Sequence, residues 1–247
     1  MSIQNKITLL ASACLVAIVA LLATLSLAQR RGDAQTLVDT STALLRDAAR
    51  DNLHAEGQAQ ALQLQQQFGQ SHEFVQGVAR QVLHLRAQAG KDEASARALR
   101  QSLTQVLRDA IGARSDVLGL FVLFNPNALD GHDAAFTNQP ALGSNDTGRF
   151  NLYWIQPQPG QLQAVPANES LLADDRPGPA GAPYNAFFTC SRDSGRPCVL
   201  EPYLDDSRGT SHLVTSVTVP LLVDGEFIGV AGVDIDLQAL QANAVKT

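Results

Sequence analysis

The sequence predicts an α+β fold that begins with a transmembrane helix, continues as a long helix and ends in an antiparallel sheet. Three observations carry this. Ile7 to Ala28 holds no charged residue and is mostly Leu, Ala, Ile and Val. From Asp33 to Ala89 there is no proline, and apolar residues recur at helical spacings. His212 to Val223 and Glu226 to Leu237 are two β-rich runs joined by Asp224-Gly225, a pair that favours a tight turn.

The first segment, 1–29, reads as a cytoplasmic start and a transmembrane anchor. At about 1.5 Å rise per residue the apolar stretch is ~33 Å long, enough for a bilayer core. A cleaved signal peptide has a shorter apolar region, about 7–15 residues, and Leu27-Ala28 is a poor cleavage site. Lys6 faces Arg30 and Arg31 across the span, so flanking charge leaves orientation nearly balanced. Residues 30–90 read as one long helix. Leu37, Leu44, Ala48, Ala55, Ala59 and Leu62 recur at threes, fours and sevens, and Val75, Val78, Val82, Leu85 and Ala89 approach a heptad seam. That stripe must be buried, either on the following domain or against a second copy, and a homodimer is expected.

Residues 91–240 read as a ligand-binding module. Gly90 stops the long helix, and Glu93 to Ile111 forms a second one ending at Gly112. Val117 to Phe124 is a buried strand, Asn127 to Arg149 a polar loop and Phe150 to Gln156 another strand. Pro157 to Pro183 is a long ordered loop or holds a small helix. The terminal runs form a hairpin near the sheet centre, where Gly229 and Gly232 imply close packing. Leu237 to Val245 starts a new helix, so 241–247 is read as the start of a truncated following segment.

Cys14 lies in the expected span. Cys190 and Cys198 bracket a turn-rich stretch and are either disulfide-bonded across a hairpin, as an oxidising compartment permits, or two free thiols. No His or Cys pair stands at metal-ligand spacing, so no metal and no cofactor are expected. The formal net charge is −6 and 45% of residues are apolar. Such an acidic balance argues against nucleic acid, whose phosphates require a basic face.

Residues from about Asp116 to Leu240 resemble the extracytoplasmic Cache domain of methyl-accepting chemotaxis receptors, of the double-Cache type. Three segments carry the resemblance: Asp146-Thr147-Gly148-Arg149-Phe150 followed by Tyr153-Trp154; Glu201-Pro202-Tyr203 with Asp205 two residues on; and Thr215 to Leu237, with Pro220-Leu221, Asp224-Gly225, Ile228-Gly229-Val230 and Gly232-Val233-Asp234-Ile235 in the family's order. The resemblance implies a PAS-like antiparallel sheet flanked by helices, with one small-molecule pocket between the sheet and its overlying loops. It also implies a bacterial inner-membrane protein with a single N-terminal span and a periplasmic sensing region.

In amine and amino-acid sensors of that family, the residues matching Tyr203, Asp205 and Asp234 reach the ligand. The chemistry suits this, because an ammonium that sheds water needs charge-assisted acceptors. Tyr153, Trp154 and Tyr203 offer π faces for a cation. Neighbours on a strand point to opposite faces, so only one of Tyr153 and Trp154 reaches a pocket and the other belongs to the core. Asp205 either meets the ligand or caps the turn at Asp206-Ser207-Arg208-Gly209. Asp234 sits in an apolar strand and needs a partner, which is a ligand or a structural arginine. Arg149 either holds a ligand carboxylate or pairs with Asp146. The family's Arg-x-Trp-Tyr element for amino-acid carboxylates is absent. Its paired aromatics stand here as Phe187-Phe188, without hydroxyls, and Tyr184 compensates. The expected ligand is therefore an amine or other small cation.

The expected function is ligand sensing by a chemoreceptor, with signalling across the membrane. The alternatives are the sensor of a histidine kinase or diguanylate cyclase, or a membrane-tethered hydrolase. For the hydrolase there is no Gly-x-Ser-x-Gly, no His-Glu-x-x-His and no Gly-rich phosphate loop. The chain is therefore expected not to be an enzyme.

Overall fold

In the computed structural model the described residues are 3–158, 160–178, 181–205 and 211–237, without the side chains of 4–13 and 27–39. The helix start expected over 237–245 and the turn expected at 206–209 fall outside this description, but for Leu237.

Helix α1 (Ile3–Gln88) contributes to two compact units, residues 1–62 and 63–247. In the first unit Leu44, Leu45, Leu53 and Leu62 are exposed. Among the described residues no helix is long and apolar enough to cross a membrane; the expected span, 7–28, lies partly outside the described side chains.

In the second unit, helix α2 (Glu93–Gly112) starts at Asp92, whose carboxylate accepts from the Ser95 N–H at 3.0 Å. The strands are β1 (Gly119–Phe124), β2 (Asn151–Gln158), β3 (Gln161–Pro166), β4 (Cys198–Val199), β5 (Tyr203–Asp205), β6 (His212–Val223) and β7 (Glu226–Asp236). Among the described residues these form one antiparallel sheet in the order β3-β2-β1-β7-β6-β4, with β5 also on β6. The β6–β7 turn places Asp224 at φ 52° and Gly225 at φ 85°, the left-handed pair that a two-residue hairpin demands.

One sheet face packs on helices. Val75, Val78 and Val82 of α1 and Leu99, Leu103, Leu107 and Ile111 of α2 bury against Leu120, Val122, Leu152, Trp154, Val217, Val219 and Val233. Each such side chain contributes about 1.5–3 kcal/mol of transfer free energy. The heptad-like valines are thus consumed inside their own domain. Val75 and Val82 are fully buried, so this seam is not available for pairing with a second copy.

The opposite face carries Phe121, Leu123 and Val230, covered by Ala167, Leu172 and Phe188. The cover comes from α3 (Glu169–Leu172), the small helix allowed for within 157–183, and from α4 (Ala186–Ser194) beyond that stretch, while β3 takes up part of what could have been loop. The Gln-rich, proline-bounded β3 is an edge strand, which hides it from hydrophobic patterning. Cys190 in α4 and Cys198 in β4 form a disulfide, joining a helix to an edge strand rather than the two arms of a hairpin.

The polar loop before β2 is organised by Arg100, fully buried on α2. Its guanidinium pairs with Asp130 at 2.7 Å and Asp133 at 2.9 Å, donates to Ser144 Oγ and the Gly148 carbonyl, and lies 4.3 Å from the Phe136 ring centroid. A buried charge needs such complete compensation.

Candidate ligand-binding site

The sheet face away from α1 and α2 floors a cavity of about 360 Å³. Its floor is Phe121, Leu123, Tyr153 and Asp234, its walls are Val165 to Asn168 with Ser170 and Leu171, and Tyr184, Phe187, Tyr203, Leu204 and Asp205 complete it. All three tyrosines of the chain line this space. The rim is apolar and exposed at Leu171, Tyr184 and Leu204.

Strand register explains the floor. Phe121 on β1 pairs with Tyr153 on β2 and with Gly232 on β7, and Gly119 pairs with Asp234. A Cβ at Gly119 would strike the Tyr153 ring and stand 2.6 Å from its hydroxyl oxygen. A Cβ at Gly232 would likewise strike Phe121. Two strand glycines therefore make room for the rings that cross the floor, which is the close packing expected at Gly232. Phe121 meets Tyr153 and Phe187 edge to face, at 6.1 and 5.8 Å.

Asp234 is the electrostatic centre. It is almost wholly buried. Ser216, its partner on β6, donates to Oδ1 at 2.5 Å. The Tyr203 hydroxyl lies 2.8 Å from Ser216 Oγ and 3.2 Å from the same Oδ1. Burial pushes the Asp234 pKa up to about 6 against those hydroxyl donors, and the charge of Asp205 adds to the rise. Burial and the same two carboxylates hold the Tyr153 and Tyr203 phenols well above their ordinary value. Among the described lining residues there is no lysine, arginine or histidine. The site is a concave apolar chamber with an anionic end, suited to a desolvated cation with an apolar body.

Of the residues singled out from sequence, Tyr153, Tyr184, Tyr203, Asp205 and Asp234 come together here. Trp154 does not. It lies on the other face, in the helix-packed core, and its indole N–H donates to the Thr104 carbonyl at 3.2 Å. Strand alternation required one of the pair to be core, and register made it the tryptophan. The partner of Asp234 is a set of hydroxyls rather than a structural arginine. Arg149 pairs with neither Asp146 nor the cavity: it reaches Glu169 at 2.9 Å. Phe121 and the 165–171 wall were missed. Phe121 sits in a continuous apolar run that carries no face information, and the wall is joined to the site only by tertiary contact.

The family model for methyl-accepting chemotaxis protein-like first PDC sensor domains matches residues 103–242. The chain is 50% identical over 242 residues to the methyl-accepting chemotaxis protein TlpQ of Pseudomonas aeruginosa strain PAO1, covering 98% of this chain and 34% of TlpQ. It thus spans about a third of that relative's length. Among solved structures it is similar to "Methyl-accepting Chemotaxis protein X" (TM-score 0.51, 22% identity, 75% of this chain and 64% of that one). It is also similar to the sensory domain of the Campylobacter jejuni chemoreceptor Tlp3 with isoleucine bound (TM-score 0.50, 16% identity, 77% and 60%). These two likenesses show the shared fold.

Proposed function

Because the chain belongs to the methyl-accepting chemotaxis protein-like family of first PDC sensor domains, we propose that its second unit, the module expected at 91–240 together with the end of α1, binds a small organic amine in the Asp234 cavity. Binding there is a signal passed across the membrane. The supporting observation is the pairing of two carboxylates, Asp205 and Asp234, with three tyrosines in a chamber whose described lining holds no cationic side chain. An ammonium at the deep end gains charge-assisted hydrogen bonds from Asp234 and a π face from Tyr153 or Tyr203. Leu171, Leu204 and Phe187 take its apolar body. An α-amino acid would bring a carboxylate into an anionic chamber, at a desolvation cost that no described lining residue offsets with a positive charge.

In this reading residues 7–28 anchor the chain in the bacterial inner membrane and place the module in the periplasm. The disulfide accords with that compartment. The chain acts as a receptor, as a homodimer, and not as an enzyme. The end of α1 packs on the sheet face behind the cavity floor, so a shift of the floor on ligand closure is passed to that helix.

The test is thermal melting of the chain against straight-chain primary amines, the matching alcohols, α-amino acids and organic acids. An amine at 100 times its dissociation constant should add about 2.7 kcal/mol of stability, and the alcohol of equal length should add little. Stabilisation by amino acids or organic acids alone would overturn the amine reading, and turnover of any compound would favour an enzyme.

A further inference from the structure

We propose that Arg149, which does not line the cavity, is a positioning residue for the ligand: through Glu169 it latches the 165–171 wall in the place where it closes the amine site. This rests on the amine reading above.

The wall is tied down by three buried polar side chains. Asn145, Arg149 and Asn185 are all at most 6% exposed. Arg149 donates from one terminal nitrogen to Glu169 Oε2 at 2.9 Å, from Nε to the Phe124 carbonyl, and its guanidinium carbon lies 5.3 Å from the Phe188 ring centroid. Glu169 Oε1 accepts from Asn145 Nδ2 at 2.8 Å and from the Thr147 hydroxyl at 3.1 Å. Asn145 Nδ2 also reaches the Ala167 carbonyl at 3.2 Å. At the other end of α3, Asn185 Nδ2 donates to the Leu172 carbonyl at 3.0 Å. Asn185 immediately precedes α4, which carries Phe187 into the cavity.

These bonds converge on a helix of one turn, too short to hold itself. The residues it presents to the cavity, Ser170 and Leu171, take their position from the latch rather than from the helix. Arg149 is anchored to β1 and to the Phe188 ring, so it links the sheet that carries the ligand's acceptors to the wall that covers the ligand. Glu169 is the exposed half of the pair, with a side chain 34% exposed against 7% for Arg149. The latch therefore opens at the glutamate end, where water can solvate the released carboxylate. The Glu169 charge also occupies Arg149, which keeps that cation from recruiting a carboxylate ligand.

The test uses the full chain in detergent, with hexan-1-amine as probe, and the variants Glu169→Gln, Arg149→Met and Arg149→Lys. Two readouts are needed: the kinetics of probe binding, and amide hydrogen exchange in the absence of probe. Glu169→Gln should bind the probe about tenfold or more weakly, as loss of charge-assisted hydrogen bonds implies. The change should lie in faster dissociation, with faster exchange confined to 167–172 and a melting temperature close to wild type. Arg149→Met should do the same, and Arg149→Lys should recover part of the affinity. The latch is overturned if probe binding by Glu169→Gln equals wild type, or if exchange rises uniformly across the domain, which marks a purely structural pair. If the wild type binds no amine, the amine reading fails; the exchange measurement needs no ligand and still decides the latch.

Discussion

Asp234 shows how one residue carries both the recognition chemistry and its cost. A carboxylate whose folded-state pKa rises to about 6 from an ordinary 3.8 reverses the usual acidic case. Above about pH 6 the buried anion costs the empty protein stability, and that cost fades as pH falls towards the ordinary carboxylate value. A bound ammonium offsets the same cost. Two outcomes follow for Asp234→Asn. Calorimetry should show hexan-1-amine binding weakened by at least about 2 kcal/mol, the lower end for losing one partner of a buried charge pair. The ligand-free variant should melt above wild type at pH 7.5, with the gap narrowing at pH 5. In the wild type, amine affinity should fall about tenfold per pH unit below pH 6, because the amine stays charged while one proton must leave Asp234. A flat profile from pH 5 to 8 would remove Asp234 from the site. Gly119→Ala should displace the Tyr153 ring, weaken amine binding and cost the domain about 1–3 kcal/mol of stability, as overpacking does.

The elements differ in how openly the sequence declares them. The Asp224-Gly225 hairpin and α2 were legible, because turn chemistry, capping and period are local. β3 and α4 were not: one is an edge strand with glutamine at two of its six positions, the other a nine-residue helix held by what it touches. The Cys190–Cys198 disulfide ties α4 to β4, so it braces the helix that brings Phe187 to the cavity. Replacing both cysteines by serine should lower domain stability by about 2–3 kcal/mol on the chain-entropy account of so short a loop. Denaturant unfolding reads this directly, and an unchanged midpoint would mean that α4 needs no brace.

For the whole molecule, the valine stripe of α1 decides between two assemblies that one pattern allows. Val75, Val78 and Val82 are spent on the chain's own sheet. Val82→Ala should then destabilise the domain by about 2 kcal/mol at any protein concentration, as a core truncation does. Cysteine placed at 82 should give no crosslink between copies. A Val82→Ala penalty that grew with protein concentration, or a crosslink formed at 82, would restore a seam between chains at these valines.

The sequence by itself determined the α+β class, the order of the main elements, the terminal hairpin and the acidic and phenolic groups that meet at the cavity. Those follow from period, turn chemistry and a family pattern, all written along the chain. Tertiary structure alone decided that Tyr153 rather than Trp154 faces the cavity, that Arg149 serves Glu169 and that the valine stripe turns inward. The physical reason is register. A strand's period of two leaves its faces equivalent until the neighbouring strands pair, and only then does each side chain acquire a side.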